Sequence, residues 1–507
     1  MTSTSFWKAI SQKKQNYPKL EGSLEVDVAI IGGGITGITA AHQLLAAGKK
    51  IAVIDNHEIG GMTTSSSTGN LYVPVQPFYQ SIYEKFDLET ARTIAHSRQF
   101  AIDYIEQIVN EKNIQCQFKK RPWYAYTDKT SCERIDKEVE LLQRINIPIQ
   151  YTKELPLQVP YKKAVVLPNQ ARFNPLQYVI SLAEDLHERG CYLFENTRVL
   201  EVQEKSKCIV RTEKGMITAK KVFIATHTPL GINITQAYTA PYRSYVVAVR
   251  LNEDKYPEGH FWDLDKPPHA ICTHAITKED PELLMVAGSH HKTGQGKSTV
   301  EHAQELVQFM QKTFPVKEIA YQWSAQHFQS ADSVPYIGLA HHSSHHTYMA
   351  TGYFADGLVY GTLAGIIIAD VLTNNSNNLL DTYQAQRHDF VASASFLMKE
   401  NTNVFFQYLK DLPLLINPKY QDLKPGEGCI VQIRGEKCAV SRDADNNLHV
   451  VSAVCTHMKG IVNWNTMEQS WDCPCHGSRF APNGELLEGP AIINLQRYSA
   501  DILKNGD

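Results

Sequence analysis

The chain has 507 residues, of which 43% are hydrophobic and 20% charged, and its formal net charge is −3. That length exceeds one core and calls for about two to four domains. The near-neutral balance, without long Lys/Arg runs, excludes a phosphate-tracking nucleic-acid binder.

The opening "MTSTSFWKAISQKKQNYPKL" lacks the apolar region of a signal peptide, and residues 1–24 read as a polar lead-in. Ten cysteines in such a chain fit a reducing, cytoplasmic setting better than a disulfide scaffold. No run reaches about 18 apolar residues, so no membrane span is expected. "GTLAGIIIADVL", interrupted by Asp370, reads as a buried helix.

The most ordered segment follows, "VDVAIIGGGITGITAAHQLLAAGKKIAVID". An apolar strand, Val26–Ile31, enters G-x-G-x-x-G as Gly32, Gly34 and Gly37. A helix begins around Thr36 with Ile38, Ala41 and Leu45 on one face, and a second strand, Ile51–Ile54, ends in Asp55. The chemistry suits a dinucleotide. Gly32 permits the tight turn, Gly34 lets backbone approach a pyrophosphate, and Gly37 lets helix and strand pack closely. The helix N-terminus favours phosphate charge, and Asp55 can accept from ribose hydroxyls.

Helical spacing covers Leu88–Asn110 and Ser131–Arg144, and strands begin near Cys191. Val222–Thr226, Ser244–Leu251 and Leu283–Ala287 read as further strands, and Ser298–Thr313 as a helix. A last helix, Val391–Leu412, stops at Pro413. Beyond it, "KPGEG", "RGEK", "DADNN" and "PNGE" punctuate short strands, the texture of a small all-β domain over 413–507.

Inside that domain lies C-x-H, then fifteen residues, then C-x-x-H: Cys455, His457, Cys473 and His476. Two Cys and two His could hold zinc, but zinc knuckles usually pair like ligands. Here each loop offers one thiolate and one imidazole, the division that a Rieske [2Fe–2S] centre needs. "CPCH" is one residue short of a c-type haem attachment.

"VFIATHTP", "WSAQHFQSADSVPYIG" and "YMATGYFADGLVYGTLAG" resemble the closing segments of FAD-dependent oxidoreductases related to D-amino-acid oxidase and glycine oxidase. The resemblance implies a doubly wound α/β FAD-binding domain over 25–75, 150–235 and 330–390. An antiparallel-sheet substrate domain would occupy 76–149 and 236–329, and the linker helix 391–412. It also implies cofactor contacts at Thr63 and Thr64 in "GGMTTSSSTGN", at Val199, and at the Gly352–Gly357 turn, whose helix would face the flavin pyrimidine carbonyl. Arg243 could clamp a substrate carboxylate as in amino-acid-oxidising relatives, or equally be an arginine paired on the sheet's outer face; with Tyr245 on the same strand and His291, which with Lys292 in "GSHHKTGQG" would stand beside cofactor or substrate, it makes up the candidate catalytic set. "HHSSHH", with His341, His342, His345 and His346, reads as a solvated loop.

From "DLKPGEGCIVQIRGEKCAV" through "SWDCPCHGSRFAPNGELLEGPA" the chain resembles a Rieske domain throughout. In cytochrome bc relatives the cysteine equivalent to Cys475 forms a disulfide, but the partner position here is Gly460. Ser478 could donate to a cluster sulfur, and Phe480 replaces a tyrosine donor. The two modules together imply a dehydrogenase that oxidises an amine or amino acid through FAD and passes electrons through the cluster to an external protein or quinone. The alternatives are an electron carrier without its own substrate, or an oxidase using O2 with a structural cluster.

Overall fold

The computed structural model describes residues 4–76, 78–128, 132–253, 255–265, 267–275, 282–387, 390–410, 420–499 and 502. The apolar run ending Gly22–Ile31 is buried almost without interruption, as a central parallel strand covered on both faces must be. It lies between Ile51–Ile54 and Gly215–Ile224, parallel to both. Tyr192–Phe194 extends one side, Thr347–Thr351 the other, and Tyr336–Leu339 closes the sheet antiparallel. The helix Ile35–Ala46 packs on this sheet because position 37 is glycine: a Cβ there would lie 1.9 Å from the Gly32 carbonyl oxygen. The helix Gly357–Leu372 lies over it and is buried along most of its length, as the apolar run predicts.

A second sheet of nine strands is antiparallel except where His260–Asp263 runs parallel to Lys119–Thr127. That pairing joins two hairpin blocks from distant parts of the chain. The range 150–235 assigned to the FAD domain needs correcting. Gln150–Thr152 and Lys163–Arg172 pair into the second sheet, and the chain returns to the first domain only with the helix Pro175–Glu188. That helix, capped by the Asn174 side chain with proline at its start, was not read from the sequence. The lead-in is also more structured than its polarity suggests. Phe6 and Trp7 are fully buried against Trp323, Val246 and Met285, and Trp7 Nε1 donates to the Ser67 carbonyl at 2.7 Å.

The helix Phe390–Lys410 is held rather than free. Glu400 is ion-paired with Lys292 and accepts from the Tyr242 hydroxyl at 3.2 Å, and the Gln295 amide donates to Asn403 at 2.8 Å. The domain boundary placed at 412–419 lies outside the described residues. The C-terminal domain has a three-stranded sheet, Gly428–Ile433, Glu436–Arg442 and Leu448–Ser452, and a four-stranded one running from Asn463–Asn465 to Leu486–Glu488. Its core is built on Trp471, Phe480 and Val462.

Candidate functional site

One long, open cavity runs from the glycine turn of the first domain to the second sheet. Gly32, Gly34, Thr36, Asp55, Thr63, Thr64, Val199 and Gly357 line it. Gly37 does not, because it sits in the helix–strand packing. Gly352 does not either, and turns the chain at φ 81° behind the wall. The helix behind Gly34 has no side-chain cap at that residue. The start of that helix faces a long cleft, with the Ile35 N–H donating to Thr64 Oγ1 at 3.1 Å, and together with an acid at the end of the second strand this fits a dinucleotide. Asp55 also braces the turn, accepting from the Gly33 N–H at 2.7 Å and the His57 N–H at 2.8 Å.

At the other end, strand Thr239–Leu251 decides which side chains meet a ligand. Ser244 and Val246 line the cavity, so period-two alternation turns Arg243 and Tyr245 to the opposite face. A bulge in the partner strand, opposite Ser244, separates the Arg243↔His291 and Tyr245↔Gly288 pairs. It leaves His290 in the cavity wall and His291 behind it. The three predicted catalytic residues do cluster, but away from the cavity. Tyr245 Oη lies 3.0 Å from His291 Nε2, and the His291 ring stacks on His302 at 4.0 Å. Lys292 is engaged by Glu400.

Arg243 is fully buried. Its Nη2 donates to Glu468 Oε2 and to Ser324 Oγ, each at 2.5 Å, and its Nη1 lies 3.8 Å from Asp472 Oδ2. Arg479 meets Glu468, Asp472 and Glu488 from the other side. Burial pushes the Asp472 carboxyl up, but Arg479 and Arg243 hold it below its ordinary value. Arg243 is therefore a tie to the C-terminal domain and not a carboxylate clamp in the cavity.

Other polar side chains that line the cavity are not marked by any motif in the sequence: His227, His290, His327, Tyr72 and Gln76. Burial holds the His327 imidazole well below its usual range and His290 at about 4, so both are neutral at pH 7. The "HHSSHH" segment is a largely exposed loop, as expected, with Lys221 Nζ 3.0 Å from His346 Nδ1.

The two cysteine–histidine loops close in the same way. The Lys459 N–H bonds back to the Cys455 carbonyl at 3.1 Å, and the Gly477 N–H to the Cys473 carbonyl at 3.0 Å. Lys459 and Gly477, four residues after each cysteine, both have positive φ, 62° and 78°. Cys455 and Cys473 are buried and within hydrogen-bonding reach of each other; that contact and burial push the Cys455 thiol well up. The His457 and His476 rings meet edge to face at 5.0 Å. His476 Nδ1 is buried with no hydrogen-bond partner, while His457 Nε2 lies 3.1 Å from the Gly231 carbonyl oxygen and leaves its Nδ1 to a metal. Among the described residues no three Cys, His, Asp or Glu side chains converge on one ion. A pair of irons needs no such convergence, since one takes two sulfurs and the other two nitrogens. The donor set fits a [2Fe–2S] cluster.

Around it, the Ser478 hydroxyl contacts the Cys455 thiol and accepts the Ala491 N–H at 3.0 Å. A Cβ at Gly460 would lie 2.5 Å from Cys475 Sγ, so the missing side chain is the one that would face that thiol, and Cys475 forms no disulfide.

Residues 27–371 match the family described as FAD dependent oxidoreductase, and residues 416–499 match the Rieske [2Fe-2S] domain. The "Putative Rieske 2Fe-2S iron-sulfur protein YhfW" of Bacillus subtilis (strain 168) is 32% identical over 98% of both chains. The gamma-glutamylputrescine oxidoreductase of Escherichia coli (strain K12) is 23% identical over 74% of this chain and 89% of its own. Among solved structures, glycine oxidase from Geobacillus kaustophilus superposes with a TM-score of 0.60 at 18% identity, covering 72% of this chain and 99% of that one.

Proposed function

Since the chain belongs to the FAD-dependent oxidoreductase family and carries a Rieske domain, we propose that it is a dehydrogenase of an amine or amino-acid-like substrate whose electrons leave through the cluster to an external acceptor. FAD would supply two-electron chemistry and the [2Fe–2S] cluster one-electron chemistry. The observation carrying this reading is a single cavity that begins at the glycine turn, ends at the second sheet, and has residues of the Rieske domain in its wall.

Gly34, Thr36, Asp55, Thr63 and Thr64 would hold FAD, and Cys455, His457, Cys473 and His476 the cluster. Ser244, His290 and His327 present small or neutral polar groups where a substrate would lie. Uncharged imidazoles there can orient an amine by hydrogen bonding without repelling it. Ten cysteines and no disulfide among the described residues favour a reducing cytoplasm. No helix among the described residues is long and apolar enough to cross a membrane.

Anaerobic stopped-flow with a panel of amines and amino acids tests the reading. A substrate should bleach the flavin absorbance first, and the reduced-cluster EPR signal should rise afterwards. If every compound leaves the flavin oxidised, the reading as an electron carrier without its own substrate replaces it.

A further inference from the structure

The segment 486–492 comprises the last strand of the Rieske domain, Leu486–Glu488, and the residues after it, and runs along the large cavity. Leu486, Leu487, Glu488, Gly489, Ala491 and Ile492 line it together with the glycine turn. Two polar contacts seal the seam with the first domain: His57 Nε2 lies 2.8 Å from the Leu487 carbonyl oxygen, and the Gly231 N–H donates to the Pro490 carbonyl at 3.0 Å. His57 is two residues past Asp55, and Gly231 lies in the loop after strand Gly215–Ile224, so the segment spans the cleft between two C-terminal strand ends.

We infer that residues 486–492 form a third wall of the FAD site, contributed by the Rieske domain, so that FAD is held between two domains and not by the dinucleotide fold alone. Leu487 and Ile492 supply apolar surface that a bound cofactor would remove from water. Glu488, the one acid on this wall, is ion-paired with Arg479, 3.5 Å from its carboxylate, so it need not oppose a phosphate-bearing ligand. The other end of the segment reaches the cluster loops, where the Ala491 N–H donates to Ser478 Oγ beside Cys455. One short stretch thus touches both cofactor sites. By linkage, FAD should steady the segment as much as the segment steadies FAD.

The test uses full-length protein with its cluster loaded and its FAD removed, titrated with FAD by fluorescence. The double variant Leu487→Ala/Ile492→Ala should raise the Kd for FAD by about tenfold or more while keeping the cluster's EPR signal. A Kd within about twofold of the parent, with the cluster intact, overturns the inference. Hydrogen exchange on the unmodified chain gives the reciprocal measurement and needs no variant. FAD should slow exchange of the backbone amides within 486–492, and equal exchange with and without FAD overturns the inference.

Discussion

Arg243 is fully buried where the second sheet meets the C-terminal domain. Its type and strand pointed to a carboxylate, and it does bind carboxylates, but those of Glu468 and Asp472 in the neighbouring domain. Removing one member of a buried charge network strands the others. Arg243→Met is therefore expected to destabilise the protein by about 3–5 kcal/mol in denaturant unfolding while leaving the substrate concentration for half-maximal flavin bleaching unchanged. A clamp would give the opposite pattern. The two Cys–His loops stand out in the sequence because their spacing is local and the chemistry they suit is demanding. Cys473→Ser should abolish the cluster's EPR signal, whereas Cys475→Ser should retain it. Ser478 supplies a hydroxyl beside Cys455 but Phe480, fully buried in the same core, supplies none. With fewer donors to stabilise the reduced cluster, redox titration should find a potential below the upper end of the range of about −150 to +300 mV, and Phe480→Tyr should raise it.

Among the elements, the strand–helix–strand of the dinucleotide turn was the most readable, because its glycines, apolar run and terminal acid each have a separate physical reason. The substrate strands were harder. Their existence follows from alternation, but which alternate residues face the ligand depends on one bulge, and a bulge leaves no dependable mark in a single sequence. That is why His291 was chosen and His290 faces the cavity. The loop Cys473–Phe480 shows the same dependence on its neighbours. Gly477 has φ 78°, and a Cβ there would lie 2.6 Å from Pro241 Cβ across the domain seam. Gly477→Ala should cost about 1–3 kcal/mol and loosen the seam, splitting thermal unfolding into two transitions. Gly435, with φ 85° and open space where its Cβ would go, is the control, since Gly435→Ala carries the backbone strain alone.

For the molecule as a whole, the two cofactors could be anticipated from sequence, but not the docking. Phe6 and Trp7, the 150–172 hairpin and the 486–492 wall take their places through contacts between residues far apart in the chain. The buried histidines give this assembly an acid limit. Burial holds His42 and His302 at about 4 and His260 at about 3, against an ordinary value of 6.5. On acidification the unfolded chain takes up these protons first, near pH 6.5, so it binds more protons than the native state across that window. The stability they contribute is full above pH 6.5 and is lost as pH falls toward 4. Denaturation midpoints measured at steps between pH 7 and 4 should fall steadily, and a flat profile would contradict these neutral imidazoles.

The contact of His457 Nε2 with the Gly231 carbonyl has a kinetic consequence. It places a cluster ligand against the flavin domain of its own chain, and the charge network around Arg243 and Arg479 keeps it there. If the flavin reduces the cluster as proposed above, that step would be a first-order event inside one molecule. Its rate should not change when the protein is diluted, and only the final delivery to an outside acceptor should depend on concentration.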